Sequence, residues 1–366
     1  MTQNSQRCFI VPPYLLEAIA QANDERFAVA AEAARASLLR DEPVRSDRAE
    51  GGLRKAGHAV TGTRSRAAVA HANATPGRPR RSIADARGLE QLPGVAVRDE
   101  GWPPTADVTV NEAYEGLGAS YELFWRAFRR DSIDGHNQRL DATVHYGLEY
   151  DNAFWNGSRM VFGDGDGQVF QRFTASLSVI GHELTHGVTE DTAQLRYQGQ
   201  SGALNEHISD VFGALTEQFS RGQQVHEASW LIGAELFTSQ VQGRALRDMR
   251  YPGTAYDDDV LGRDPQPAHM RDFIITTEDN GGVHLNSGIP NRAFTIAALA
   301  LGGEAWRQAG SIWYDALSGG NLAPDADFAR FASVTLGSAE RLYGRDSTER
   351  AAVLAAWNEV GVSVHD

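Results

Sequence analysis

The sequence lacks the features that mark several protein classes. It holds one cysteine, Cys8, among 366 residues, so an intramolecular disulfide is excluded. No run of about 18 or more apolar residues is present, so we expect no membrane-spanning helix. The apolar stretch near the N-terminus is short and is broken by Pro12 and Pro13, which is atypical of a secretory signal. We therefore expect synthesis in the cytoplasm without Sec export, and another secretion route stays open.

Basic side chains are scarce in most of the chain. Residues 101–366 hold 19 basic and 36 acidic residues, whereas residues 1–100 hold 15 basic and 12 acidic ones. An acidic body argues against nucleic acid as a partner. The basic first part is compatible with two interpretations: a leader that docks on the body as an intramolecular inhibitor, or a solvated leader.

The chain divides into segments that differ in composition and in apolar spacing. Residues 14–42 carry apolar residues at helical spacing, and residues 43–82 are rich in Gly, Arg, Ser, Thr and Pro, which is typical of an exposed linker. Residues 142–173 alternate apolar and polar positions, which predicts antiparallel strands. Helical patterns then follow at 176–190, 203–220, 228–241, 287–301, 303–317, 324–342 and 347–358.

The segment HELTH at 182–186 carries the clearest chemical signal. On a helix, His182 and His186 lie one turn apart on one face, so both imidazoles can reach one cation. Neutral ring nitrogens suit Zn²⁺, which prefers tetrahedral N, O or S ligands. Glu183 points about 100° away from His182, so it can stand beside the ion and accept a proton from water.

A third ligand is needed, because this motif also occurs by chance. In GALNEHISDVFG (202–213), Glu206 and Asp210 share one helix face at the i, i+4 spacing. Glu206 can bind the ion while Asp210 accepts the second N–H of a zinc-binding histidine. The alternative is an ordinary amphipathic helix whose acidic residues face water.

Several motifs together resemble the thermolysin-like metallopeptidases. The resemblance extends over about 107–361 and comprises YDNAFWNG at 150–157, VFGDGDGQVF at 161–170, HELTHGVTE at 182–190, YQGQSGALNE at 197–206, ALRDM at 245–249 and DNGGVHLNSGIPN at 279–291. It implies one catalytic zinc ion bound by His182, His186 and Glu206, with Glu183 as the general base. It further implies two hydrogen-bond donors to the tetrahedral intermediate, Tyr197 and His284, the latter oriented by Asp279.

The resemblance also implies residues that hold substrate and orient the zinc ligands. Arg247 would bind a substrate carbonyl on the primed side, and Asn152 and Ala153 would pair with the substrate backbone. Asn205 and Asp210 would be hydrogen-bond partners of the zinc-binding histidines. An apolar pocket for the residue after the cut would be lined by Phe173, Val179, Ile232, Leu236 and Leu246.

The implied fold is α+β, a two-lobed thermolysin-like zincin. Its parts would be a propeptide at 1–65, called the leader below, a linker and cleavage region at 66–82, a β-rich lobe with the zinc helix at 83–190, and a helical lobe at 191–366. The segment VPPYLLEAIA at 11–20 resembles the proline-pair motif of the protealysin-like, short-propeptide subgroup. Those leaders usually carry Leu after the two prolines, where this chain has Tyr14.

Calcium is not expected as a cofactor. At the double calcium site of long-leader relatives, only Glu217 matches a carboxylate, and Arg244 stands where a further calcium site is acidic. The other matching positions are uncharged: Ser178, Ser229, Leu231 and Ala234. A site without its carboxylates loses most of its affinity for Ca²⁺.

The predicted function is that of a zinc-dependent neutral endopeptidase that cuts proteins or peptides before bulky apolar residues and is made as an autoinhibited precursor. The predicted partners are its substrates and its own leader, with no nucleic acid and no membrane. The alternatives are a peptidase restricted to few substrates and a catalytically idle zinc-binding protein. For Cys8, the sequence leaves two interpretations open: a zinc ligand in the precursor, or a thiol without a role.

Overall fold

A computed structural model describes residues 8–55 and 77–364, with the backbone alone for 42–55. The leader begins with strand β1 (Cys8–Phe9) and continues as helices α1 (Pro13–Ala20) and α2 (Ala28–Lys55). Pro13 suits the first position of α1, where a missing N–H costs no hydrogen bond. Helix α2 continues past residue 43, so the prediction of a linker from there was wrong. Arg, Ala and Glu between 44 and 55 favour a helix.

The N-terminal lobe contains a mixed sheet in the order β1-β5-β6-β4-β2-β3. Its other strands are β2 (Arg81–Asp85), β3 (Val95–Asp99), β4 (Leu140–Val144), β5 (Ala153–Trp155) and β6 (Met160–Phe162). Strand β2 starts at Arg81, so the last two residues of the predicted linker lie in the sheet. Most of that linker, up to residue 76, is outside the described residues.

The expectation of purely antiparallel strands after residue 142 was wrong for β4. Strands β5 and β6 form an antiparallel pair, but β4 runs parallel to both β2 and β6. The parallel pairing of β2 and β4 requires a crossover, and helix α3 (Val108–Phe128) supplies it. Asp107 begins this helix by accepting the N–H groups of Thr109 and Val110.

Two helices, α4 (Leu177–Asp191) and α5 (Gly199–Arg221), cross at the junction of the lobes. The predicted helices at 176–190 and 203–220 correspond to them. Glycines allow the close approach: a Cβ at Gly213 would lie 2.4 Å from the Ser178 carbonyl oxygen, and one at Gly181 would lie 2.8 Å from Thr216 Oγ1. The crossing therefore fixes the relative position of HELTH and NEHISD.

The C-terminal lobe is helical. It contains two short ribbons, β7 (Leu231–Ile232) with β8 (Arg247–Asp248) and β9 (Asp257–Asp258) with β10 (Gly262–Arg263), followed by α6 (Asp279–Asn286), α7 (Gly288–Leu301), α8 (Ala309–Ser318), α9 (Phe328–Tyr343) and α10 (Thr348–Glu359). Among the described residues no helix is long and apolar enough to cross a membrane.

The predicted helix at 228–241 was wrong. Trp230 and Gly233 have positive φ angles of 59° and 72°, which no α-helix accommodates. Ile232 and Leu236 are four residues apart and both buried, so a strand and a turn produced a helix-like pattern. The predicted helix at 303–317 begins only at Ala309.

Candidate active site

The two histidines of HELTH face each other at the buried junction of α4 and α5. Their Nε2 atoms are 2.9 Å apart. His182 Nδ1 lies 2.9 Å from Asp210 Oδ1, and His186 Nδ1 lies 2.8 Å from Asn205 Oδ1. Because these oxygens accept hydrogen bonds, each Nδ1 carries the hydrogen and both Nε2 lone pairs face the same point.

Glu206 on α5 brings a carboxylate to that point. Its Oε2 atom lies 3.4 Å from His182 Nε2, and Oε1 lies 3.6 Å from His186 Nε2. Two donors bound tetrahedrally to one Zn²⁺ at about 2.0–2.1 Å are about 3.3 Å apart. The separations in the structure lie on both sides of that value. The three side chains therefore fit a zinc ion.

The charge of Glu206 supports the same conclusion. Burial raises its pKa, but the nearby rings of His284, His182 and His186 more than offset this and hold the pKa well below its usual value. Among the described residues, no group donates a hydrogen bond to the buried Oε2 atom. An anionic oxygen that receives no hydrogen bond is available to bind a cation.

Glu183 follows His182 in the helix and is also fully buried. Burial raises the pKa of its carboxyl group to about 8, although the nearby His182 lowers it. A carboxylate of raised basicity beside the three ligands can accept a proton from water.

His284 and Tyr197 approach the same point from the helical lobe. His284 Nδ1 lies 2.7 Å from Asp279 Oδ1, and Tyr197 OH lies 3.3 Å from His284 Nε2. The chain reaches this position through a left-handed turn in which Gly281 and Gly282 have φ angles of 82° and 73°. The Tyr197 hydroxyl donates to Glu206 Oε1.

His284 binds a carbonyl of the leader. Its Nε2 atom lies 2.8 Å from the Phe9 carbonyl oxygen, which can only accept a hydrogen bond. The ring therefore donates from both nitrogens and is positively charged. Burial lowers the pKa of His284, but Asp279 and Glu206 more than offset this and raise it above its ordinary value.

Comparison with known proteins gives the family. Residues 67–190 match the thermolysin metallopeptidase catalytic domain, and residues 193–362 match the thermolysin metallopeptidase alpha-helical domain. The chain belongs to the thermolysin metallopeptidase family. Its members are metalloendopeptidases that use zinc, with calcium in some.

Individual members of the thermolysin family resemble the chain over most of its length. An extracellular metalloprotease of Pectobacterium carotovorum is 53% identical over 80% of this chain and 84% of its own length. Protease PrtS of a Photorhabdus strain is 51% identical over 78% of this chain and 77% of its own length. The solved precursor of protealysin, a metalloproteinase from Serratia proteamaculans, has a TM-score of 0.85 and 48% identity, covering 97% of this chain and 100% of that one.

The three residues predicted to hold substrate all contact the leader. Ala153 accepts the N–H of Ile10 through its carbonyl at 3.1 Å, and Asn152 Oδ1 accepts the N–H of Val11 at 3.0 Å. Arg247 donates from Nη1 to the Ile10 carbonyl at 2.9 Å. In this thermolysin-family chain, the leader therefore runs as an extended peptide along the edge of β5.

Two residues near the site were given no role by sequence reasoning. Asn291 donates to Asp210 at 2.8 Å and lies within the DNGGVHLNSGIPN motif, where its spacing gave no reason to single it out. Asp41 accepts from Tyr150 OH at 2.7 Å and from Asn152 Nδ2 at 2.9 Å. It is one carboxylate among many in a charged helix, so the sequence holds no signal that marks it.

Proposed function

We infer that this chain is a zinc endopeptidase precursor whose leader occupies the substrate cleft and keeps the enzyme inactive. The observation that carries this inference is the binding of three successive leader residues: His284, a predicted donor to the intermediate, binds Phe9, and the residues predicted to hold substrate bind Ile10 and Val11. The leader helices support it too, because Leu15, Leu16, Ile19, Phe27 and Ala30 are buried in the same hydrophobic core as the catalytic lobes.

The chemistry follows from the residues around the leader backbone. A bound zinc ion supplies a Lewis acid that polarises the carbonyl and acidifies a water molecule. Glu183 accepts the proton of the attacking water and passes it to the leaving amine. His284 and Tyr197 donate hydrogen bonds to the oxygen on which negative charge develops, and Arg247 holds the next carbonyl along the substrate.

The position of Ile10 supports a preference for apolar residues. Its carbonyl is bound by Arg247 and its side chain is fully buried, as are the five residues predicted to line the pocket: Phe173, Val179, Ile232, Leu236 and Leu246. We expect a peptide-library digest by the matured enzyme to show cuts before Leu, Phe or Ile. One methylene in such a pocket is worth about 1–3 kcal/mol, so the preference should be broad. Predominant cleavage before charged residues would contradict this assignment.

Export is also part of the proposal. The relative from Pectobacterium is named an extracellular metalloprotease, which supports secretion of this chain. Immunodetection of the protein in cell and culture-medium fractions of the native host tests it, with a cytoplasmic enzyme as the control for lysis.

The direct test of the function uses the matured protein, after cleavage in the predicted linker region and separation from the leader. We expect hydrolysis of casein and of an internally quenched peptide, one zinc ion per chain by mass spectrometry, and inhibition by phenanthroline. The leader peptide added in excess should inhibit again. Hydrolysis unaffected by the chelator, or zinc binding without any hydrolysis, would contradict the proposal.

A further inference from the structure

The sole cysteine of the chain lies in the active site. Cys8 pairs with Trp155 in the β1–β5 ladder, is 2% exposed, and packs against Tyr197 and Val283. The donor atoms of Cys8, His186 and Glu206 all lie within 4.8 Å of one another. The thiol is therefore beside two of the three proposed zinc ligands, and one of these, Glu206, has a buried oxygen, Oε2, that receives no hydrogen bond from the described residues.

The register of the leader makes this position informative. In the proposed roles, His284 binds the carbonyl of the bond that is cut, and Arg247 binds the carbonyl that follows. In the structure His284 binds the Phe9 carbonyl and Arg247 binds the Ile10 carbonyl. The Phe9–Ile10 peptide bond thus lies where a scissile bond would lie, and Cys8, the residue that precedes Phe9, carries the thiol.

We propose that the Cys8 sulfur is the fourth donor to the zinc ion of the precursor. This inference rests on the proposed function. A catalytic zinc site with three protein ligands leaves one position for water, and thiolate sulfur is a strong zinc ligand at about 2.3 Å. Sulfur in that position excludes the water that would cut the Phe9–Ile10 bond. The leader can therefore bind in the register of a substrate and remain intact.

Activation is then a ligand exchange that conserves atoms and charge. When the leader leaves, the zinc–sulfur bond breaks and a water molecule takes the position. The thiolate takes up a proton from solvent and becomes an ordinary thiol. No oxidant or reductant is needed, and removal of the leader both empties the cleft and opens the position for water.

X-ray absorption at the zinc edge tests the proposal directly. The sample is the full-length Glu183→Gln precursor, which is expected not to process itself. We expect one sulfur scatterer at about 2.3 Å and three nitrogen or oxygen scatterers at about 2.0–2.2 Å. In Cys8→Ser the sulfur shell should disappear while one zinc ion per chain remains. Ile10→Val, a conservative change on the same leader segment, should keep the sulfur shell.

The outcomes separate this proposal from the proposed function. One bound zinc ion with only nitrogen and oxygen neighbours in the parent precursor would overturn the role of Cys8 and leave the zinc peptidase intact. A precursor that binds no zinc would overturn both. The spectrum of the Glu183→Gln precursor with Cys8 intact decides the question even where Cys8→Ser folds poorly. The chain has no second cysteine that could supply a thiolate.

A second test uses the intact catalytic base. Cys8→Ser with Glu183 present should cut its own Phe9–Ile10 bond, giving a product whose N-terminus is Ile10, visible by intact-mass measurement. Phenanthroline should prevent this cut, and the parent precursor should not show it. A Cys8→Ser precursor that keeps residues 1–9 under conditions that mature the parent would count against the proposed role of the sulfur.

Discussion

Asp210 connects the metal ligands to the substrate-holding residues. Its two carboxylate oxygens accept hydrogen bonds from His182, from both Nε and Nη2 of Arg247 at 2.8 Å, and from Asn291. Burial raises its pKa, but Arg247 and His182 more than offset this and hold the pKa far below its ordinary value. A permanently charged carboxylate at this position fixes the tautomer of His182 and the direction of Arg247 together.

The first prediction at this scale concerns Glu183. Glu183→Gln removes the base but no proposed ligand, so this variant, cleaved in the linker by added parent enzyme and then purified away from it, should keep one zinc ion per chain. Loss of a general base costs about 10²–10⁴-fold in rate. Glu359→Gln, an exposed position far from the site, should leave both readouts unchanged. The decisive measurement is the turnover number beside the zinc content; activity above a few per cent of the parent would refute the role.

A second prediction concerns His145. Its Nδ1 atom lies 2.8 Å from Asp164 Oδ2, and its Nε2 atom lies 2.8 Å from Asp107 Oδ2. The hydrogen bond to Asp164, opposed by burial and helped by Asp107, raises its pKa to about 9. A raised pKa stabilises the folded state below the unfolded pKa of about 6.5, and this contribution is lost as pH rises through about 9. Solvent screening limits the effect to about 1–2 kcal/mol.

The measurement is the melting temperature of Glu183→Gln precursors at pH 6 and pH 9.5. The parent should lose several degrees more over this interval than His145→Gln does, because only the parent deprotonates this histidine. His226→Gln, at an exposed position, should behave as the parent. Equal losses in the parent and in His145→Gln would contradict the assignment.

The residues of the site differ in how far the sequence predicts them. His182, His186 and Glu206 come from helix periodicity, because a four-residue spacing fixes a shared face whatever surrounds it. Asp210 follows from the shared face of the same helix, whereas Asn205 was implied by the family resemblance alone. Cys8 meets His186 only through the tertiary path of the leader, so no local pattern could decide between its two interpretations.

At the scale of elements, the same distinction separates helices from strands. Helices α4, α5 and α9 were predicted because their apolar stripes are long and regular. The strands β7 and β8 are two residues each, too short for any alternation to show. The parallel direction of β4 depends on where α3 returns the chain, which is a property of packing between elements.

The leader helices are attached to the catalytic lobe by specific polar contacts as well as by apolar packing. Ser37 Oγ accepts the Asp151 N–H at 3.1 Å. The Gln168 side chain accepts the Ala30 N–H and donates to the Arg26 carbonyl. Asp41 is 1% exposed and binds Tyr150 and Asn152. Asn152 is also a predicted substrate-holding residue, so helix α2 is hydrogen-bonded to a residue of the cleft.

The element-scale prediction follows from these contacts. Asp41→Ala removes a buried acceptor shared by two donors, Tyr150 OH and Asn152 Nδ2, which costs about 1–3 kcal/mol. We expect the leader to open about 5–150-fold more often, seen as faster hydrogen exchange of residues 8–41 in the Glu183→Gln precursor. Glu32→Ala, on the same helix but 77% exposed, is the matched control. Unchanged exchange in Asp41→Ala would mean that α2 contributes nothing to docking.

At the scale of the whole molecule, an arginine side chain binds Glu217, the one carboxylate that matches the double calcium site of long-leader relatives. Arg221 donates to Glu217 Oε1 and, at 3.2 Å, to Glu235 Oε1. Burial and the neighbouring Glu235 raise the pKa of Glu217 to about 7. A carboxyl group that is partly protonated and already bound to an arginine is a poor calcium ligand.

The corresponding prediction concerns thermal stability. Millimolar Ca²⁺ should change the melting temperature of the precursor by no more than about 1–2 °C, because the carboxylates expected of a calcium site that would favour the folded state are replaced at the matching positions. Removal of zinc by phenanthroline should lower it by several degrees. Mg²⁺ at the same concentration controls for ionic strength. A large stabilisation by Ca²⁺ alone would show that a calcium site exists elsewhere on the surface.

The place of β1 at the end of the sheet has a consequence for solubility. Once the leader is lost, β5 becomes an edge strand of the sheet, and the backbone N–H and C=O groups that paired with β1 are exposed. Exposed groups of this kind can pair with a strand of another chain. The surface that receives substrates is thus also open to pairing with a strand of another molecule. β5 spans only Ala153–Trp155, a length that accepts a passing peptide but offers little for another molecule of the enzyme to extend into a fibre.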